Sequence, residues 1–248
     1  MEYKEFAINM AKEAGDVIRK NFRLGMKKEW KEDKSPVTET DIAVNRLVIE
    51  SIKEYFPDHN VKGEEASHLV NISKYLWVCD PIDGTMPFSH GVPIFTFSLA
   101  LVKDGVSILG VIYDPIMDRL FVAEKDKGAT LNGEQIHVNS KSTGYVNIET
   151  LRFPSLVESL RNQDFQQFKF GCATYGGIMV ACGEFVGTIY REKHAHDIAA
   201  LKVIVEEAGG KVTDIRGNEQ RYDQDINGAI ISNGIAHDLL VKEVSKVI

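Results

Sequence analysis

Two segments in the first quarter of the chain carry apolar residues at helical spacing. Residues 2–22 hold one such stripe, and residues 40–59 repeat it at intervals of three and four until Pro57 ends the pattern. Thr38 and Thr40 are residues of the type that caps a helix start. The pattern therefore predicts two amphipathic helices, each with an apolar face for a core.

From residue 75 onward the pattern changes to short runs rich in β-branched and aromatic residues. Runs over 75–80, 95–115 and 119–139 contain Asp-Gly and Asn-Gly pairs, which are typical of hairpin turns and predict neighbouring antiparallel strands. Strand-like and helix-like runs then alternate, which indicates an α/β half. The strands are predicted over 147–153, 167–172, 185–192 and 228–233, and the helices over 154–162, 173–183, 196–210 and 235–248.

A short polar stretch at 140–146 lies between these two parts of the chain. Because it is too short for an independent linker, we expect a single domain over 1–248 with two lobes that meet there. The composition, 44% hydrophobic and 26% charged over 248 residues, is that of a globular protein with a sizeable core.

Charge and cysteine usage narrow the function classes. A net charge of -7 without a Lys/Arg-rich block disfavours nucleic-acid binding. The chain shows neither a signal-peptide core nor a charge-free membrane span, so we expect a cytoplasmic protein with no membrane partner. Cys79, Cys172 and Cys182 form no CxxC pair and are expected to be reduced and buried.

Acidic residues stand at the ends of several predicted elements: Asp41, Glu64, Glu65, Asp80, Asp83 and Asp197. Each has an ordinary explanation, because acids cap helix starts, form turns and face solvent in loops. Asp80 fits that explanation poorly, since it ends an apolar strand where an unpaired carboxylate is costly. Asp83 is predicted in the turn beyond that strand, and Asp197 at the start of a helix.

Convergence of Glu64, Asp80, Asp83 and Asp197 would require cations to offset their repulsion, and oxygen ligands of this kind suit Mg²⁺. The Ile82 carbonyl could turn toward the same ion, because the preceding proline bends the chain. Backbone N–H groups at the next predicted helix start, Gly84 and Thr85, favour a phosphate. Together these features indicate metal-assisted phosphoryl hydrolysis.

Three motifs resemble the inositol monophosphatase family of Mg²⁺-dependent, lithium-sensitive phosphatases. They are GEE at 63–65 with VTETD before it, WVCDPIDGT at 77–85 and HDIAALKVIVEEAGG at 196–210. The resemblance runs nearly the whole length. It implies an α/β fold built as a layered αβαβα sandwich, and a homodimer.

The resemblance also implies roles for individual residues. Two or three Mg²⁺ ions are expected: one on Glu64, Asp80 and the Ile82 carbonyl, one on Asp80, Asp83 and Asp197, and a weaker third that also uses Glu64. Thr85, hydrogen-bonded to Asp41, would orient or deprotonate the attacking water together with Glu64. The implied substrate contacts are Asp83, Gly84, Thr85, Gly171, Cys172, Ala173, Tyr190 and Asp197.

The chain departs from the family pattern at three places. After DGT, Met86 and Pro87 precede Phe88 where the family usually has asparagine, which could change the loop beside the phosphate. Tyr190 stands where the inositol enzymes have a glutamate, and His196 stands where the family has tryptophan. His194 and His196 form an HxH pair, which also permits a zinc site or a substrate contact.

The implied function is a Mg²⁺-dependent phosphomonoesterase for a small polyol or sugar phosphate, with inositol 1-phosphate first. Fructose 1,6-bisphosphate, histidinol phosphate and a 3',5'-bisphosphate nucleotide are alternatives on the same core, and Arg191 or Lys193 could meet a second phosphate. An alternative of another class is a non-catalytic protein of a transcription complex.

Overall fold

Both predicted amphipathic helices form: α1 spans Tyr3–Asn21 and α2 spans Glu39–Tyr55. A capping box starts α2, since the Thr40 N–H donates to the Thr38 hydroxyl at 3.2 Å and the Thr38 N–H donates to Asp41 at 2.8 Å. The prediction of a cap at Thr40 is wrong, because that residue already lies inside the helix. The computed structural model describes residues 1–32, 36–70, 72–149 and 154–247.

Eight strands form the larger sheet, which contains the predicted hairpins. A small ribbon of β1 (Glu29–Trp30) and β2 (Pro36–Val37) precedes it. The eight strands are β3 (Asn60–Gly63), β4 (Ser67–His68), β5 (Tyr75–Asp83), β6 (Thr96–Lys103), β7 (Val106–Asp114), β8 (Arg119–Glu124), β9 (Ala129–Leu131) and β10 (Glu134–Gln135).

Across this sheet the strand order is β10-β9-β8-β7-β6-β5-β3-β4. The strands from β5 to β10 pair antiparallel with their chain neighbours, as predicted, whereas β3 runs parallel to β5. A short helix α3 (Thr85–Ser89) follows β5 directly. The turns at Asp104-Gly105 and Asn132-Gly133 have positive φ at both residues, which these residue types accept most readily.

The second half forms a five-stranded sheet with helices on both faces. Its elements are β11 (Tyr145–Ile148), α4 (Pro154–Arg161), β12 (Gln166–Phe168), α5 (Ala173–Ala181), β13 (Gly187–Tyr190), α6 (Ala199–Glu207), β14 (Lys211–Thr213), β15 (Ala229–Ser232) and α7 (His237–Ser245). The order is β12-β11-β13-β15-β14, with β11 parallel to β12 and β13. The three-residue β14 was not predicted, and the end of the predicted strand 147–153 lies outside the described residues.

Alternating side chains of the strands bind these elements into five layers. In β5, Trp77 and Cys79 share a buried cluster with α1 and α2, whereas Val78 joins the cluster that contains α5 and α6. A third cluster packs the five-stranded sheet against α4 and α7. The layers are therefore helix, sheet, helix, sheet, helix, and the predicted αβαβα sandwich is confirmed.

The three cysteines are free thiols, as predicted. Cys79 lies in β5 and Cys172 directly precedes α5, and both are buried. Cys182 is only partly buried, which corrects the prediction, because it caps the C-terminal end of α5. In the described ranges, no helix combines the length and the apolar character needed to cross a membrane.

Candidate active site

The end of β5 carries an irregularity that brings two carboxylates together. Asp80 pairs with Ser98 of β6 and Asp83 pairs with Thr96, so three steps along β5 match two along β6. Residues three apart in a regular strand point to opposite faces, but the extra residue of a bulge redirects the chain. Pro81 suits this place because it has no N–H to lose. Asp83 therefore ends β5, so the predictions that Asp80 ends the strand and that Asp83 lies in a turn beyond it are wrong.

A single 3-10 turn, Ala195–Asp197, supplies the third carboxylate. The prediction that Asp197 opens a helix is wrong, because the turn closes with a bond from the Ile198 N–H to the Ala195 carbonyl and α6 begins only afterwards. Carboxylate oxygens of Asp80, Asp83 and Asp197 all lie within 4.8 Å of one another. The three aspartates predicted as metal ligands thus form one group.

The N-terminus of α5 fixes the Asp83 carboxylate. Thr174 donates to one oxygen through both its N–H and its hydroxyl, each at 2.5 Å, and the Ala173 N–H donates to the other at 3.3 Å. The Cys172 thiol lies 3.4 Å from the same side chain. Ala173 and Cys172, predicted as substrate contacts, therefore face a carboxylate in this structure. Sequence analysis missed the role of Thr174. Its position at a predicted helix start was the available signal.

Gly171, the remaining predicted contact at this helix start, donates its N–H to Glu149 at 3.2 Å. The amide of Asn147 donates to the same carboxylate at 2.7 Å. Burial raises the pKa of Glu149, and the charge of Asp83 acts in the same direction against the bond from Asn147. Sequence reasoning missed Glu149, because an acid in a strand-like run gives no sign of its distant partners.

Thr85 links the end of β5 to the start of α2. Its hydroxyl lies 3.0 Å from Asp41 Oδ1 and 3.0 Å from the Ile82 carbonyl, and its single proton serves one of them at a time. Gly84 permits this placement, because its φ is +92° and a Cβ there would lie 2.7 Å from the Ile94 carbonyl oxygen. The predicted contact between Thr85 and Asp41 is present.

A second group of candidate ligands also includes Asp80. Ligand atoms of Glu64, Asp80 and His196 all lie within 4.8 Å of one another. The ammonium of Lys31 contacts Glu64 at 2.7 Å and Glu65 at 2.5 Å. Glu64 and Glu65 are therefore paired rather than simply solvated. Burial lowers the pKa of Lys31, but its bonds to both glutamates outweigh this and raise it overall.

His194 lies beside this second group and belongs to neither group found in the described residues. Its ring stacks on that of His196, with centroids 5.2 Å apart and an interplanar angle of 13°. A zinc site that uses both histidines therefore lacks one of its two nitrogen ligands in this arrangement.

Tyr190 also reaches the aspartate group, because its hydroxyl donates to Asp197 Oδ2. The side chain is buried, with 4% of its surface exposed. In this structure the hydroxyl of Tyr190 thus orients a candidate metal ligand, which is a contact that the sequence did not indicate.

Burial raises the pKa of every carboxyl in the aspartate group. For Asp80 the charges of Glu64 and Asp83 add to burial, and its pKa lies well above the usual range. Burial and the charge of Asp197 raise the pKa of Asp83 to about 7. Burial raises that of Asp197 to about 6, despite the bond from Tyr190. The group holds protons near neutral pH until a cation displaces them.

The two groups fit divalent cations. The aspartate group offers only carboxylate oxygens, which are the ligands that Mg²⁺ prefers in proteins. Asp80 belongs to both groups, so two cations could share its carboxylate. Shared carboxylates of this kind occur where two metals clamp a phosphoryl group.

Comparison with known proteins places this arrangement in context. The model of the inositol monophosphatase family matches residues 1–248. A fructose-1,6-bisphosphatase/inositol-1-monophosphatase of Thermotoga maritima is 33% identical over 258 residues, which cover 100% of this chain and 98% of that protein. The Nus factor SuhB of Pasteurella multocida is 36% identical over 225 residues, which cover 85% of this chain and 84% of that protein.

Among solved structures, an IMPase of Thermotoga maritima matches this fold with a TM-score of 0.89 at 32% sequence identity. The match covers 100% of this chain and 98% of that one. The similarity therefore extends over the whole sandwich, including β5 and the 3-10 turn, which carry the aspartate group.

Proposed function

This chain belongs to the inositol monophosphatase family, and we propose that it is a Mg²⁺-dependent phosphomonoesterase for small polyol or sugar phosphates, with inositol 1-phosphate as the first candidate. One observation carries the proposal: Asp80 belongs to two groups of candidate ligands. Within each group the ligand atoms lie within 4.8 Å of one another. The Thermotoga maritima relative is named for both fructose 1,6-bisphosphate and inositol 1-phosphate, and this name supports small sugar and polyol phosphates as the substrate class.

The proposed metal ligands are Glu64, Asp80 and the Ile82 carbonyl on one side, and Asp80, Asp83 and Asp197 on the other. When bound, Mg²⁺ supplies Lewis-acid stabilisation of phosphoryl oxygens and favours deprotonation of a water. The Ile82 carbonyl has a second lone pair for a cation while one accepts from the Thr85 hydroxyl.

Thr85 is proposed to position the attacking water. While its hydroxyl donates to Asp41 at 3.0 Å, a lone pair of Oγ1 is free to accept a bond from that water. Burial raises the pKa of Asp41 against the bonds from Thr38 and Thr85, which makes this carboxylate a better proton acceptor. Glu64 is the second proposed acceptor, and Gly84 with Thr85 would present N–H groups to the phosphate.

Substrate selection is proposed to involve Gly171, Cys172, Ala173 and Tyr190 at the rim of the aspartate group. Lys193, a candidate for a second phosphate, pairs with Asp225 at 3.5 Å and would have to exchange that partner. Both side chains are exposed, so this ion pair is only a weak obstacle to binding a second phosphate. A homodimer remains a prediction from the family resemblance.

A phosphate-release assay tests the function. The purified chain is incubated with inositol 1-phosphate, fructose 1,6-bisphosphate and histidinol phosphate, with Mg²⁺ or with EDTA. We expect turnover of inositol 1-phosphate only with Mg²⁺, and loss of at least about a hundredfold in Asp83→Asn, the order of effect that follows removal of one transition-state contact. Asp126→Asn, on an exposed turn far from the site in sequence, is the matched control. Turnover in EDTA, or full activity of Asp83→Asn, would contradict the proposal.

The Nus factor relative supports a second candidate, a non-catalytic role in a transcription complex. That role would not need filled ligand positions at Glu64, Asp80, Asp83 and Asp197. It predicts a stable RNA polymerase or ribonucleoprotein complex that forms equally well with Asp83→Asn, together with no phosphatase activity in the wild type.

A further inference from the structure

His196 adds a nitrogen ligand atom to the group that contains Glu64 and Asp80. It occupies the middle of the 3-10 turn Ala195–Asp197, directly before the metal-ligand candidate Asp197. The turn sends these two consecutive side chains to different groups: Asp197 joins Asp80 and Asp83, whereas His196 joins Glu64 and Asp80. One backbone turn thus serves both candidate cation positions.

The ring nitrogens of His196 are not used by the protein. Within the described residues neither of them has a hydrogen-bond partner, and the ring stacks on that of His194. Two more deeply buried histidines differ. His237 bonds to Thr213 at 3.0 Å and Ser232 at 2.8 Å, through its two nitrogens.

His59 likewise accepts from the Trp77 indole at 3.1 Å. The ring nitrogens of His196 are not among the buried polar atoms that lack a hydrogen-bond partner in the described residues, so solvent reaches them. One of them lies within 4.8 Å of the ligand oxygens of both Glu64 and Asp80, and no hydrogen bond to the protein prevents it from binding a cation there.

We propose that Glu64, Asp80 and His196 bind a divalent transition-metal ion, with Mn²⁺ as its simplest representative, while the all-oxygen group keeps Mg²⁺. Imidazole nitrogen suits first-row transition metals such as Fe²⁺, Ni²⁺ and Zn²⁺, whereas Mg²⁺ strongly prefers oxygen. Mn²⁺, the first-row ion most similar to Mg²⁺ in its ligands, serves as the paramagnetic probe of this position. A mixed pair of cations would then share the Asp80 carboxylate. The inference rests on the proposed metal-dependent function and adds the identity of one metal to it.

Mn²⁺ bound to the full-length protein provides a direct readout. Electron spin-echo spectroscopy detects a ¹⁴N nucleus that is bonded to Mn²⁺, and it requires no turnover. With one equivalent of Mn²⁺ and excess Mg²⁺, we expect ¹⁴N modulation in the wild type and its loss in His196→Phe. His194→Phe is the matched control, because it changes a stacked histidine two residues away and keeps an aromatic ring.

Calorimetric titration measures the same site as an affinity ratio. Changing partners in the outer shell of a metal ligand alters affinity about 10–100-fold, so removal of the ligand itself should reduce the preference for Mn²⁺ over Mg²⁺ by at least about tenfold. We expect this loss in His196→Phe and no change in His194→Phe. Circular dichroism of both variants checks that each is folded.

The outcomes separate this inference from the proposed function. Absence of ¹⁴N modulation from bound Mn²⁺ in the wild type overturns the inference, as does modulation that survives in His196→Phe. If either occurs while the wild type still hydrolyses inositol 1-phosphate with Mg²⁺, the proposed function stands. If Asp80→Asn binds both metals as tightly as the wild type, the metal site itself is wrong.

Discussion

Replacement of Asp83 by asparagine is expected to stabilise the metal-free protein at pH 8 while it removes activity. In the fold, burial and the charge of Asp197 raise the pKa of Asp83 to about 7, compared with 3.8 for an ordinary aspartate. The folded protein therefore holds this proton more tightly than the unfolded chain does. The resulting stability is present below about pH 4 and is lost as the pH rises through about 7.

The magnitude follows from the two pKa values. The interval from 3.8 to about 7 spans about three pH units, and each is equivalent to about 1.4 kcal/mol, so ionised Asp83 costs the metal-free fold about 4 kcal/mol at pH 8. Asparagine avoids that cost but leaves one of the N–H donors of α5 without its acceptor, which costs about 1–3 kcal/mol. The expected net gain is about 1–3 kcal/mol.

Urea unfolding in EDTA at pH 5 and pH 8 measures this gain. Asp83→Asn should be more stable than the wild type at pH 8, and its advantage should be smaller at pH 5 by about 2–3 kcal/mol, because folded wild type then keeps the Asp83 proton. Burial lowers the pKa of His237 to about 4, so that residue adds stability as the pH rises toward 6.5. Its contribution cancels in the difference between wild type and variant.

Asp126→Asn serves as the control for the chemical change and should follow the wild type at both pH values. Excess Mg²⁺ should restore the stability of the wild type at pH 8, because a cation that binds only the folded state favours it. A variant that is less stable than the wild type at pH 8, or a wild type that Mg²⁺ does not stabilise, would refute the reasoning.

Three other substitutions test separate contacts. Thr174→Val removes the 2.5 Å hydroxyl bond to Asp83. A bond to a charged group is worth about 1.5–3 kcal/mol, so the Mg²⁺ affinity measured by calorimetry should fall roughly 10-fold or more. Thr174→Ser, which keeps the hydroxyl, should retain the affinity. Lys31→Met removes the ammonium that competes with cations for its glutamates, so Mn²⁺ should bind about fivefold tighter, about 1 kcal/mol; weaker binding would refute this role. Trp77→Ala, at a fully buried position, should lower the free energy of unfolding in urea by about 3–5 kcal/mol, and a loss below 1 kcal/mol would contradict the packing.

The long elements of the fold were predictable because their patterns are local. The stripe of α1 and the capped start of α2 lie within one stretch of sequence each, and the hairpin turns have their own dipeptides. Short elements such as β14 were not predictable. Its three residues gain their strand conformation from pairing with β15, and no periodic pattern of that length can report a distant partner.

The candidate ligands were predictable as residues, but their surroundings were not. Asp80, Asp83 and Asp197 stand out because acids follow or precede apolar runs. Thr174 reaches Asp83 across 91 positions of sequence, and Lys31 reaches Glu64 across 33, so tertiary structure alone creates both contacts. The bulge between Asp80 and Asp83 likewise depends on the register of β6.

The shared position of Asp80 is the central claim, and anomalous diffraction from crystals grown with Mn²⁺ tests it most directly. We expect two anomalous peaks, one in each ligand group, both about 2.0–2.6 Å from an oxygen of Asp80, the range of metal–oxygen bonds for divalent cations. Peaks that lie only outside these two groups, or no peak at saturating Mn²⁺, would contradict the account.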